Sequence, residues 1–205
     1  MITLFWCPQT RASRVLWLLE EMNEPFEVRL IDIRQADAKT DPEFVAASPM
    51  GKVPALMDKA PNGTVYVADS AACALYLADR YPASGLAPAI DDPARGQFLY
   101  WMTYTPGVIE PAMMEKFTGQ QVSRATSGWG NWDAMIEVLE AGLQKGPWIT
   151  GEKFCAADVM IGSSLNFMKM FGILPENPVF EAYIDRCLAR PAFAKALARD
   201  AELKP

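Results

Sequence analysis

The sequence predicts two folded parts, a mixed α/β domain over about residues 1–81 followed by an all-helical domain over about residues 90–205. Strand-like and helix-like patterns alternate in the first part, whereas only helical periodicity remains in the second. The residues between them, 82–88, have the proline, serine and glycine composition of a linker. A chain of 205 residues is long enough for two small domains of this kind.

The first part begins with a pattern of strand, helix and strand. Residues 2–6 are nearly all apolar, as in a strand that is covered on both faces. Apolar residues at helical spacing then predict an amphipathic helix over about residues 10–23, which Pro25 ends. Alternating apolar and charged residues predict a second strand over 26–30.

The order of elements that follows completes a known arrangement. Asp41 and Pro42 are typical of the first residues of a helix. An apolar run at 53–57, a turn signal at 61–63 and a β-branched run at 65–68 predict a hairpin that leads into a further helix. The resulting order, βαβ, helix and then ββα, is that of a thioredoxin-like domain.

The second part is predicted to be entirely helical. Its expected helices cover about residues 95–114, 132–143, 156–171, 177–189 and 191–200. Pro106 and Gly107 lie inside the first of these, so we expect a kink there.

Composition excludes several classes of function. A hydrophobic content of 51% with 21% charged residues is typical of a soluble globular protein. The net charge of −6 argues against nucleic acid or an anionic membrane surface as the main partner. The absence of histidine excludes catalytic triads that need it and the commonest metal sites. Four widely scattered cysteines predict neither a disulfide framework nor structural zinc.

The first residues and the apolar runs of the sequence predict a cytoplasmic protein. The first residues show neither a basic region nor the long apolar region of a secretory signal. No apolar run approaches the length of a membrane span.

Residues 49–82 carry the pattern from which we predict a ligand site. Pro54 stands inside an apparent strand, which indicates an edge or a functional irregularity. A cis Val53-Pro54 bond would leave the Val53 backbone able to pair with an extended peptide ligand. Asp69 and Ser70 stand where strand becomes helix, and the N–H groups of a helix start attract carboxylates.

These residues resemble the glutathione site of the glutathione S-transferase superfamily, and the resemblance covers the N-terminal half of the chain. It implies the glutathione transferase fold, glutathione as co-substrate and a homodimer that forms through helices near 71–80 and 95–114. It also implies that Lys52 contacts the glycyl carboxylate, that Val53 pairs with the cysteinyl backbone, and that Asp69 and Ser70 hold the γ-glutamyl end. The acidic residue is usually Glu or Gln in this superfamily, so the shorter Asp69 is a departure.

Two residues near the end of the first strand are candidates for activating a thiol. Cys7, followed by Pro8, matches the Cys-Pro of glutaredoxins and of cysteine-type transferases, and a helix start with nearby arginines favours a thiolate. Thr10 stands where theta-like members place a catalytic serine, and its hydroxyl could donate to the glutathione thiolate. Cys7 predicts thiol transfer, and Thr10 predicts conjugation. The place of Cys-Pro at the end of the first strand favours Cys7, because Thr10 is also expected to cap the helix.

The leading hypothesis is a glutathione transferase that acts on a small hydrophobic electrophile. One alternative is a glutathione-dependent thiol-disulfide oxidoreductase that uses Cys7, and another is a non-catalytic binding protein. Tyr104, Thr105 and Phe117 are candidates for the second-substrate pocket. Asp158, three residues after Cys155, resembles the acidic residue of a buried capping box in the superfamily, so we expect it to be structural.

Overall fold

Two units make up the structure, a computed structural model that describes residues 1–35 and 41–202. The first unit contains residues 1–84 and the chain from Arg190 onward, and the second contains residues 85–189. The sequence pattern assigns the last helix to the helical part, whereas the structure packs it within the first unit.

The sheet of the first unit has its four strands in the order β2-β1-β3-β4. They are β1 (Ile2–Trp6), β2 (Phe26–Leu30), β3 (Ala55–Ala60) and β4 (Gly63–Ala68). β1 runs parallel to β2 and antiparallel to β3, and β4 runs antiparallel to β3. This arrangement confirms the predicted thioredoxin-like fold.

The described helices follow the predicted positions to within a few residues. They are α1 (Ala12–Met22), α2 (Pro42–Ala47), α3 (Ser70–Arg80), α4 (Arg95–Tyr104), α5 (Glu110–Thr118), α6 (Trp132–Leu143), α7 (Ala156–Met170), α8 (Pro178–Leu188) and α9 (Pro191–Glu202). Between α4 and α5 lies a π-helical turn, Thr105–Ile109, at the predicted kink. It contains Pro106, which cannot donate to the helical ladder.

Aromatic packing and an ion pair hold α9 against α1 in the first unit. The ring of Phe193 meets that of Trp17 edge-on, with their centroids 5.2 Å apart. Arg190 donates to the Glu21 carboxylate at 2.7 Å. The amphipathic pattern of α9 predicted a helix, but it did not show which surface would cover its apolar face.

α7 is the central element of the second unit. Every residue from Ala156 to Leu165 is buried, so this helix is covered on all sides rather than along one stripe. Close packing around the neighbouring α4 and α6 is visible at Gly142. A Cβ at this position would lie 2.6 Å from Cζ2 of Trp101, which is buried.

We expect Gly142→Ala to lower the free energy of unfolding by about 1 to 3 kcal/mol, because the indole must move to admit the added methyl group. Urea denaturation measures this loss. The matched control is Gly96→Ala in α4, where a Cβ would meet no described atom within 4 Å. The control should be neutral or slightly stabilising, since alanine favours a helix over glycine. Equal stability of the two variants would contradict the packing argument.

Candidate functional site

Strand register brings the predicted ligand segments to one end of the sheet. Ala55 pairs with residues of both β1 and β4. The pairs Phe5–Ala55 and Ala55–Ala68 end the two ladders, so the residues after β1, before β3 and after β4 leave the sheet at the same edge, and these segments contain Cys7, Val53 and Ser70. Three segments that are far apart in sequence therefore meet at the same sheet end.

The segment before β3 presents an unpaired stretch of backbone. The Val53-Pro54 peptide bond is cis, as predicted. Among the described residues, none makes a backbone hydrogen bond to Val53 outside the strand ladders, and the ladder of β3 starts only at Ala55. Ser48 fixes the residue before Val53, because its Oγ donates to Lys52 O at 2.8 Å and accepts from Lys52 N at 2.9 Å. The Lys52 side chain is exposed.

Asp69 caps α3 in a backbone conformation that is uncommon for a residue with a side chain. Its φ is +80°, and its Oδ1 accepts from Ala71 N at 2.8 Å and from Ala72 N at 3.3 Å. Its Oδ2 makes no hydrogen bond to a described residue, and the side chain is exposed. Ser70 follows as the first residue of the helix, with 6% of its surface exposed.

Thr10 is half-buried at the start of α1, and its hydroxyl makes two local contacts. Oγ1 donates to Cys7 O at 2.7 Å and accepts from Ala12 N at 3.2 Å. A hydroxyl proton rotates about the Cβ–Oγ1 bond, so it can turn toward another acceptor while the oxygen keeps its contact with the helix. Thr10 can therefore keep its contact with Ala12 N and donate to a ligand from one position.

Cys7 is fully buried, with 0% of its surface exposed. Its Sγ donates to Oδ1 of Asp32 at 3.8 Å. The same oxygen accepts from Nε of Arg34 at 2.8 Å, and this hydrogen bond is the largest of the effects that lower the pKa of Asp32. The Cys7 thiol thus faces the Asp32 carboxylate, whose negative charge is stabilised by the Arg34 guanidinium.

Sequence reasoning missed Asp32 and Arg34, although a signal was present. β1 and β2 are parallel, with Trp6 opposite Leu30, and Ile31 N donates to Trp6 O at 2.8 Å. Residues that follow two neighbouring parallel strands emerge at the same sheet edge. The predicted pairing of β1 with β2 was therefore enough to predict that the residues after β2 lie near Cys7.

The three residues predicted for a second-substrate pocket differ in exposure. Tyr104 is buried and donates from its hydroxyl to Met135 O at 3.2 Å, and burial raises the pKa of this phenol. Thr105 is buried too, with no hydrogen-bond partner for its hydroxyl among the described residues. Phe117 is 50% exposed and contacts Phe171 edge-on at 5.6 Å. Among the three, Phe117 alone offers a substantial surface to a ligand.

Asp158 lies at the start of α7 and is fully buried. Its carboxylate accepts from Ile149 N at 2.8 Å, from Cys155 N at 2.9 Å and from the Tyr183 hydroxyl at 2.7 Å. Burial raises the pKa of Asp158, and these donors oppose that effect. The contacts support the structural role expected for Asp158.

The described residues contain neither a candidate metal site nor a candidate membrane span. No group of three or more Cys, Asp or Glu side chains in residues 1–35 and 41–202 is placed to hold a metal ion. In the same part of the chain, no helix combines the length and the apolar character needed to cross a membrane.

Comparison with known proteins finds similarity to glutathione S-transferases. Residues 6–80 match the family model described as glutathione S-transferase, N-terminal domain. The chain is 25% identical to the disulfide-bond oxidoreductase YfcG of Escherichia coli over 96% of this chain and 94% of that protein. It is 26% identical to the glutathione S-transferase GstB of Escherichia coli over 92% of this chain and 93% of that protein.

A solved structure agrees with these sequence matches. The structure of a sphingomonad glutathione S-transferase in complex with glutathione superimposes with a TM-score of 0.77. Its sequence is 25% identical, and the match covers 97% of this chain and 98% of that one.

Proposed function

This chain belongs to the glutathione S-transferase superfamily, and from that premise we propose that it is a glutathione transferase. It binds glutathione at the sheet end of the first unit and activates the glutathione thiol for attack on a small hydrophobic electrophile. The observation that best supports this function is the strand register, because it joins the segments of Cys7, Val53 and Ser70. The glutathione bound to the sphingomonad relative supports the choice of ligand.

Each part of glutathione has a partner in this proposal. The unpaired Val53 backbone pairs with the cysteinyl backbone, as an added strand would. The exposed Lys52 ammonium binds the glycyl carboxylate. Ser70 binds the γ-glutamyl carboxylate with its hydroxyl and its backbone N–H, while Oδ2 of Asp69 accepts from the γ-glutamyl amino group.

Thr10 is the better candidate for stabilising the glutathione thiolate. Its hydroxyl lies at the start of α1 and is half-buried, whereas Cys7 is fully buried. A hydrogen bond to the charged form of a thiol lowers its pKa, so a donor at this point increases the reactive fraction of bound glutathione. We also propose that the protein is a homodimer, that it acts in the cytoplasm, and that its reaction uses no metal ion.

Isothermal calorimetry with glutathione tests the ligand site. We expect Ser70→Ala to weaken binding by about 1 to 3 kcal/mol, because its hydroxyl meets a charged ligand group. Ser84→Ala is the matched control, since Ser84 lies in the same unit and only donates to Tyr81 O. Absence of glutathione binding by the unmodified chain would contradict the proposed function, and equal affinity of both variants would show that Ser70 has no ligand role.

A thiol-disulfide oxidoreductase that uses Cys7 is the second candidate function. The specific observation in its favour is the similarity to the disulfide-bond oxidoreductase YfcG, which extends over 96% of this chain. A non-catalytic binding protein is the third, and it would bind glutathione without either activity.

A further inference from the structure

We propose that the second unit carries a binding site for a small organic ammonium ion with an apolar body, in a cavity between residues 85–94 and 150–155. The cavity lies wholly within residues 85–189, whereas the residues proposed to bind glutathione belong to the first unit. A ligand in this cavity would be independent of the proposed transferase reaction.

The cavity has the size and the lining of a small-molecule site. Its volume is about 450 Å³, and pockets for small organic ligands measure about 300 to 1,000 Å³. Small side chains leave this space open, since Ala87, Ala89 and Ala94 line it together with Pro88. Phe154 adds an aromatic ring to the lining. A small aromatic body therefore fits this interior.

Contacts that need no ligand hold the cavity open. Ala156 N donates to Leu86 O at 2.8 Å, and this hydrogen bond joins the two segments that form the walls. The ring of Phe154 packs edge-on against that of Trp148, with their centroids 4.9 Å apart. The walls are therefore preformed, which lowers the entropy lost when a ligand binds.

Two carboxylates and one ammonium group border the apolar space. They belong to Asp92, Glu152 and Lys153, which are all exposed. Oδ1 of Asp92 accepts from Ala94 N at 2.8 Å, so the carboxylate is fixed in place and its Oδ2 has no hydrogen bond to a described residue. The side chains of Glu152 and Lys153 also have neither a hydrogen bond nor an ion pair to another described residue.

This set of charges favours a cationic ligand. An ammonium group can donate to the carboxylates of Asp92 and Glu152 while the apolar body of the ligand occupies the cavity. A ligand carboxylate would have Lys153 as its cation, but the two acidic side chains would repel it. The net charge of the chain, −6, also opposes an anion.

Titration of the isotope-labelled chain with phenethylamine, followed by proton–nitrogen correlation NMR, tests the proposal. We expect saturable shifts of the backbone amide signals of Ala89, Lys153 and Phe154, with a dissociation constant in the millimolar range. Phenethyl alcohol and phenylacetate have similar bodies without a positive charge, so they should bind at least about threefold more weakly. Saturating glutathione should leave the affinity for phenethylamine unchanged.

Two substitutions with matched controls locate the bound amine. Asp92→Asn keeps the size of the side chain and should weaken binding about threefold, whereas Asp91→Asn, at an exposed neighbour outside the lining, should not. Ala94→Leu adds an isopropyl group to the wall from an exposed residue with helical backbone angles, and it should weaken binding about tenfold. Ala182→Leu, at an exposed position of α8, should leave the affinity unchanged.

Four results would overturn the proposal. The first is the absence of saturable shifts at the lining residues, and the second is equal affinity for phenethylamine and phenethyl alcohol. The third is unchanged affinity in both Asp92→Asn and Ala94→Leu. The fourth is competition between phenethylamine and glutathione, which would place the amine in the first unit.

Discussion

Replacing Asp158 by Ala is expected to lower the free energy of unfolding by about 3 to 5 kcal/mol. The substitution leaves Ile149 N, Cys155 N and the Tyr183 hydroxyl without an acceptor in a fully buried place. Each unpaired buried donor costs about 1 to 3 kcal/mol. Without this carboxylate, the start of α7 would lose its hydrogen bonds to Ile149 and Tyr183.

Urea denaturation followed by tryptophan fluorescence measures this effect. Tyr183→Phe removes only the hydrogen bond from the Tyr183 hydroxyl and should cost less, about 1 kcal/mol. Asp185→Ala, on the exposed face of α8, is the matched control and should change stability by no more than about 0.5 kcal/mol. A loss below about 1 kcal/mol in Asp158→Ala would show that water or a shifted side chain replaces the carboxylate.

The elements could be predicted from the sequence where a local pattern determines them. Pro61 and Asn62 are the two-residue turn between β3 and β4, since Ala60 pairs with Gly63. The kink between α4 and α5 follows from Pro106 in the same way. The start of β3 is two residues later than the apolar run suggested, because Val53 and Pro54 lie outside the ladder. Each of these predictions depends only on residues that are close together in the sequence.

The environment of a side chain could not be predicted in this way. Cys7 and Pro8 indicate a strand end, but they do not indicate whether the sulfur points to solvent or to the interior. The carboxylate beside it belongs to Asp32, which is 25 residues away and becomes a neighbour through strand pairing. The contacts of α9 with α1 have the same origin, since Trp17 and Phe193 meet only in the folded chain.

The rate of conjugation in a Thr10 variant distinguishes Thr10 from Cys7 as the residue that activates the thiol. We expect Thr10→Val to slow conjugation of glutathione to an electrophile by about a hundredfold at neutral pH, because removing a preorganised donor to a developing anion has a cost of this order. Valine keeps the shape of threonine without its hydroxyl, so the change is chiefly one of hydrogen bonding. Without that donor the pKa of the bound glutathione thiol rises, and the rate should recover as pH increases.

The matched controls are Ser13→Ala and Cys7→Ser. Ser13 also carries a hydroxyl at the start of α1, but it donates to Thr10 O, so its removal should leave the conjugation rate within about twofold. Cys7→Ser should leave conjugation intact, because the buried sulfur does not reach the ligand in this mechanism. Stopped-flow absorbance of the bound thiolate against pH separates a change in ionisation from a change in affinity. If Cys7→Ser instead abolishes activity while Thr10→Val leaves it unchanged, the thiol-disulfide oxidoreductase is the better description of this chain.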